Sequence, residues 1–182
     1  SEHRDHALAV IGAGKAVLVE KAFARSAAEA REVFDAAQRA GVFAMEAMWT
    51  RFLPHVDVVR QCLEDGLLGD VHTVMADHGQ LLFPDGPPRL SDPRLAGGAL
   101  LDLGVYPISF AHFVLGDFVD VTATGVLTDG GVDAQAAIGV TSSTGAMGVL
   151  GTTMLTRTPT GATVCGTQAR RELSGPFYGR GA

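Results

Sequence analysis

Three side chains in this 182-residue sequence, Lys21, Asp102 and Tyr106, have types and settings suited to moving a proton beside a held charge. If the stretch Gly97 to Tyr106 is helical, Asp102 and Tyr106 lie four apart on one face, and Gly104 leaves room for a third group to approach. A phenol ionises near pH 10 in water, so acid–base work by Tyr106 calls for a cation beside it, and Lys21 is the candidate. The competing reading makes Asp102 a helix cap, Tyr106 an amphipathic core residue and Lys21 a solvated loop residue.

The elements that must position these groups follow from apolar spacing. Val17-Leu18-Val19 reads as a strand buried on both faces, with Glu20 and Lys21 at its carboxyl end, where open α/β sheets place their ligands. A helical pattern over 5–11 precedes it. Ser26 and Glu29 form a capping box, Ala30, Val33, Phe34 and Ala37 a helical stripe, and Gly41 a stop before a strand over 42–45. Residues 17–46 are therefore expected to form one right-handed strand–helix–strand unit with parallel strands.

Pro54 opens a second amphipathic helix through Val56, Val59, Cys62 and Leu63, stopping near Gly66 or Gly69. A strand is expected over 71–82, a turn over 83–88, and a helix over 100–115 in which Pro107 marks a first turn or a kink. Four β-rich segments follow, at 119–128, 132–142, 146–156 and 162–168, separated by turns such as Asp129-Gly130-Gly131 and Ser143-Thr144-Gly145. The expected fold is α/β plus α+β: residues 1–48 form part of a doubly wound parallel domain, and 49–182 carry a large, mostly antiparallel sheet.

A formal net charge of −6 argues against a nucleic-acid surface. No uninterrupted apolar run approaches about 18 residues and no charged-then-apolar leader opens the sequence, so no membrane partner and a cytoplasmic location are expected. Cys62 and Cys165 read as buried free thiols. His55, His72, His78 and His112 have no metal-site spacing and read as ordinary or half-buried polar residues; no metal is expected. Gly12-Ala13-Gly14-Lys15 is not a phosphate loop, because alanine stands at positions 9 and 16, and it precedes a strand.

Three motifs in order, Val17-Leu18-Val19-Glu20-Lys21, Met45-Glu46-Ala47-Met48-Trp49-Thr50-Arg51-Phe52 and Gly97 to Tyr106, resemble the Gfo/Idh/MocA oxidoreductases, particularly the branch of trans-dihydrobenzenediol and D-xylose dehydrogenases. The resemblance implies a Rossmann domain followed by an open-faced sheet domain. It further implies NAD or NADP as cofactor, NADP slightly favoured, a sugar or cyclic diol as substrate, and a homodimer through the sheet. Lys21 matches the lysine of a Glu-Lys-Pro motif, with Ala22 in place of the proline. Tyr106 matches the proton-transferring position and Asp102 the acidic residue one turn before it; His3 and Glu20 join Lys21 near the nicotinamide. Trp49 and Arg51 match residues lining the substrate pocket, the alternative being a packed aromatic beside a surface arginine. The family's Gly-rich strand–turn–helix is absent, and the sequence stops shortly after Phe177-Tyr178-Gly179. An internal fragment, inactive alone, is therefore expected, the alternative being a non-catalytic sheet module used for oligomerisation.

Overall fold

The first of two packed units is built from short apolar stripes. In the computed structural model, which describes residues 2–179, helix α1 (His3–Gly12) buries Ala7 and Ile11, and α2 (Ala27–Ala40) buries Val33 and Ala37. Strands β1 (Val17–Val19) and β2 (Ala44–Glu46) pair in parallel, with Leu18 opposite Met45. Val19, Phe23 and the two helices share one core. Burial of β1 on both faces is not observed: Leu18 is 61% exposed. Val17, Val19 and Ala44 belong to the helix-covered core, and no layer formed by the described residues covers the opposite face of this two-stranded sheet. The start of α2 also differs from a reciprocal capping box. Ser26 accepts from the Glu29 N–H as expected, but the Glu29 carboxylate accepts from the Arg25 N–H and guanidinium instead of from Ser26.

The second unit is a six-stranded sheet with helices on one face. A single 3₁₀ turn, Trp49–Phe52, leads into α3 (Pro54–Glu64), then β3 (Val71–Gly79). Three short helical turns, the last a π-type turn at Leu100–Gly104, lead into α4 (Val105–Leu115). The remaining strands are β4 (Phe118–Leu127), β5 (Asp133–Ser142), β6 (Met147–Thr153), β7 (Ala162–Gly166) and β8 (Arg170–Leu173). Their order is β4-β5-β6-β3-β7-β8, with β3 parallel to β6 and every other pair antiparallel. The expected meander is thus opened to admit β3 at its centre, and β8 is a strand that the charged run Arg170-Arg171-Glu172 concealed.

Alternation along the strands divides the faces. Val74, Ala76, Ile138, Val140, Leu150 and Val164 pack with Tyr106, Phe110 and Ala111. Met75, Met147 and Val149 lie on the other, open face and are exposed. Helix α4 covers β3 and β6. Edge strand β4 therefore lies beyond its cover and exposes Val119, Val121 and Leu127 as well. Residues Pro93–Leu115 are long and apolar enough to cross a membrane by composition, although prolines, glycines and Asp102 interrupt the run. They instead form successive short turns and α4, burying Ala99, Leu103, Pro107 and Phe110 within the protein.

Two glycines set the entry to that segment. Gly98 has φ +107°, and a Cβ there would collide with the Asp133 carboxylate, which accepts from the Leu100 N–H at 2.6 Å. Gly104 lies against Thr152 of β6, the close approach its missing side chain permits. We expect Gly98→Ala to cost about 1–3 kcal/mol, from a disallowed backbone and a displaced carboxylate. Urea denaturation measures this; an unchanged midpoint would show that Gly98 does not set the segment's entry.

Candidate active site

Lys21 leaves the carboxyl end of β1 and points across the junction between the two units. Its Nζ donates to the Asp102 carbonyl at 2.8 Å, lies 3.6 Å from Asp102 Oδ1 and sits 5.1 Å from the Tyr106 ring centroid. Asp102 Oδ1 also receives Arg89 Nη2 at 3.0 Å, so two cations share one carboxylate. The Lys21 and Asp102 side chains are 18% and 14% exposed, too little for ordinary surface pairing. The three residues that the sequence reading singled out therefore converge, although 81 positions separate Lys21 from Asp102.

Neighbouring groups hold the lysine loop. His3, the first residue of α1, donates Nδ1–H to the Ala22 carbonyl at 2.8 Å, and Glu46 at the end of β2 accepts from the Phe23 N–H at 2.9 Å. The Lys21–Ala22 peptide is cis although alanine occupies the position. Glu20 accepts from the Lys21 N–H at 3.2 Å. His3, Glu20, Lys21, Ala22 and Asp102, together with Arg89, Leu95, Ala96 and Leu101, border a cleft of about 590 Å³. The cleft is of ligand-pocket size and lies beyond the carboxyl ends of β1 and β2, the position at which open α/β sheets bind their ligands. The turn at Gly12 and Gly14 has open space around it and leads from a helix into a strand, so it offers no cradle for pyrophosphate.

The Tyr106 ring is 8% exposed and set among aromatics. Tyr178 stacks on it at 5.3 Å between centroids, Trp49 meets it edge-on at 6.3 Å and His78 lies 5.1 Å away. Its hydroxyl makes no hydrogen bond to another described residue. Trp49 therefore stands beside the proposed centre. Arg51 turns elsewhere, bonding Ser109 and lying over the Phe113 ring, one and two turns farther along α4.

Two histidines depart from the expected half-buried polar role. His55 is buried and bonds the Phe177 carbonyl, which brings Tyr178 to the site. His78 is 1% exposed beneath Tyr106 and Tyr178. Burial lowers its pKa to about 4, assisted by Lys21 and opposed by the Leu103 carbonyl, Asp102 and Asp77. The alternation Val74, Ala76, His78 on β3 was the available signal that this histidine faces inward. Tyr178, Gln80 and Arg89 had none, because only the folded chain brings them here. Among the described residues, no group of three or more His, Cys, Asp or Glu side chains could hold a metal ion.

Residues 56–172 match the GFO/IDH/MocA C-terminal domain, and residues 1–48 the oxidoreductase family with an NAD-binding Rossmann fold. The chain belongs to the GFO/IDH/MocA family. It is 37% identical over 168 residues to trans-1,2-dihydrobenzene-1,2-diol dehydrogenase of Xenopus laevis, covering 91% of this chain and 50% of the relative. An NAD binding oxidoreductase from Klebsiella pneumoniae superimposes with a TM-score of 0.88 at 28% identity, over 96% of this chain and 52% of that one. The aldose-aldose oxidoreductase of Caulobacter crescentus, solved with glycerol, gives 0.88 at 27% identity, over 96% and 53%. The chain thus spans about half the length of the proteins it matches. Rossmann-type and sheet-domain portions, an NAD(P)-type oxidoreductase family and dehydrogenase relatives agree with the reading from the three motifs.

An imidazole whose folded pKa lies below its unfolded value takes up a proton on unfolding. The stability linked to His78 is therefore intact above about pH 6.5 and lost as pH falls toward about 4. Between pH 6.5 and 5 the loss is about 2 kcal/mol. Urea midpoints of His78→Phe should fall less steeply with acid than those of the parent; parallel slopes would mean that this histidine is not the group being charged.

Proposed function

We propose that Lys21, Asp102 and Tyr106 form the catalytic centre of an NAD(P)-dependent dehydrogenase acting on a hydroxyl carbon of a sugar or cyclic diol. The observation that carries this reading is the half of the site brought by each unit: the Lys21 amine against the Asp102 carbonyl and over the Tyr106 ring. A dinucleotide-binding unit of residues 1–48 would place its lysine on a substrate domain of residues 49–182. Diol and aldose chemistry in the names of matched proteins supports the substrate class.

Lys21, His3 and Glu20 would hold the nicotinamide end, and bound NAD(P) supplies the hydride acceptor. Tyr106 takes the substrate's hydroxyl proton as the carbonyl forms, and returns it in the reverse direction. Lys21 donates a hydrogen bond to the same oxygen, and Asp102, shared with Arg89, keeps the amine from swinging into solvent. Trp49 would wall the substrate side, with Arg51 fixing the turn that carries it to α4. A sheet module kept only for association leaves this convergence unexplained.

Substituting Lys21→Met in the full-length protein should lower turnover about a hundredfold or more and lower stability far less. Undiminished turnover in a folded variant would remove Lys21 from catalysis.

The open sheet face, with Met75, Met147 and Val149 exposed, supports a homodimer formed face to face. Acidic net charge and two free cysteines, Cys62 and Cys165, support a cytoplasmic enzyme with no nucleic-acid or membrane partner. Light scattering on the full-length protein should return twice the monomer mass, and Val149→Lys should halve it. A monomer at high concentration would count against the face.

A further inference from the structure

The Lys21 amine and the Asp102 carboxylate stop short of each other. Nζ lies 3.6 Å from Oδ1, beyond hydrogen-bonding reach, although it bonds the Asp102 carbonyl at 2.8 Å. Opposite charges this well shielded from water attract more strongly than they would in solvent, and closing the gap would add a charge-assisted hydrogen bond. Something holds them apart. Arg89 Nη2 donates to the same Oδ1 at 3.0 Å, so that oxygen is already engaged, and by the shorter contact.

Arg89 reaches Asp102 from a turn with little freedom. It is the second residue of the 3₁₀ turn Pro88–Ser91, and its own carbonyl accepts from the Asp92 N–H at 3.3 Å. The next residue, Leu90, is buried in one core with Ala99 and Leu103, and its carbonyl accepts from the Gly98 N–H at 2.9 Å. These contacts fold the chain after Arg89 back on itself and return the arginine to the segment that carries Asp102. The Arg89 side chain is 56% exposed and borders the cleft, so it fills no core. An ion pair with one member so exposed contributes little to stability; what it changes is where the carboxylate sits.

An ammonium group has three N–H donors. One goes to the Asp102 carbonyl, and among the described residues no other acceptor takes the remaining two. We infer that Arg89 is a positioning residue of the proposed site, holding the Asp102 carboxylate off the Lys21 amine so that an N–H of that amine stays open to the reacting hydroxyl. The inference rests on the catalytic reading of Lys21, Asp102 and Tyr106. Without the guanidinium the carboxylate closes on Lys21, and the N–H that should meet the substrate oxygen is taken up within the protein. Arg89 acts on the substrate through Asp102 and Lys21.

Two variants of the full-length protein test it, Arg89→Met and Arg89→Lys. A crystal structure of Arg89→Met needs no assay: the Asp102 carboxylate should stand within about 3.2 Å of the Lys21 amine. A carboxylate still held at the parent distance, or turned out to solvent, would overturn the inference. Turnover is read with NAD(P) and two probe alcohols, D-xylose and trans-1,2-dihydrobenzene-1,2-diol. For whichever is oxidised, kcat/KM should fall about tenfold or more in Arg89→Met, with the KM for NAD(P) within about twofold. Because Nη2 alone makes the bond, Arg89→Lys, which keeps a cation and an N–H donor, should recover most of the loss. Full activity in Arg89→Met, or an equal loss in both variants, would overturn the positioning role. A raised KM for NAD(P) as the main effect would make Arg89 a cofactor ligand and overturn it as well. A parent protein that oxidises neither alcohol would overturn the catalytic reading and the positioning role built on it, while the distance in Arg89→Met still decides whether Arg89 holds the carboxylate back.

Discussion

The contact on which the rest of the site depends is the bond from the Lys21 amine to the Asp102 carbonyl. A backbone acceptor makes this contact insensitive to the ionisation of the Asp102 carboxyl, which remains available to Arg89. It also ties two separately packed cores, one around Val33 and the other around Val74, at a point where both are largely shielded from water. A lysine spends rotamer freedom when it is held so closely, roughly 1.5–2 kcal/mol, which its hydrogen bond and ion pair must offset. Loss of the turn's geometry would therefore disturb charge placement and domain contact together.

That turn is built from several independent constraints. Gly98 admits the Asp133 carboxylate at its start, Gly104 admits Thr152 at its end, and Pro107 forbids the regular hydrogen bond just beyond it. Each device acts on a different bond of the same few residues. The π-type winding of Leu100–Gly104 is what remains when these three demands are met at once, and such turns are common at functional positions.

Much of this was legible in the sequence because local rules and distant packing agree. The stripe of α2, its Ser26 cap and Gly41 stop, and the start of α3 at Pro54 follow from periodicity and capping alone. Lys21, Asp102 and Tyr106 could be nominated because strand ends and one-turn spacing are local properties. Their meeting is not, and neither is the place of Tyr178, which depends on the Phe177 backbone being held by His55 and Thr160. The exposure of Leu18 was hidden because an apolar strand reads the same whether one face or both are covered. Strand β8 was hidden because its charges face out from a sheet edge while only Leu173 is buried.

The central place of β3 has a consequence for how the chain reaches its fold. This strand pairs with β6 and β7, whose residues arrive more than seventy positions later in synthesis, as in Thr73 with Met147 and Ala76 with Ala162. The β1–α2–β2 unit closes over a short stretch, whereas the larger sheet has no middle until nearly the whole chain is available. Loop closure over such separations must precede the contacts that reward it, so the larger unit is the slow step of folding. Until then the apolar alternation of β3 stands unpaired on both edges. The face that buries His78 is thus among the last surfaces to leave water, and the candidate centre is assembled at the end of folding, after the lysine-bearing unit has already formed.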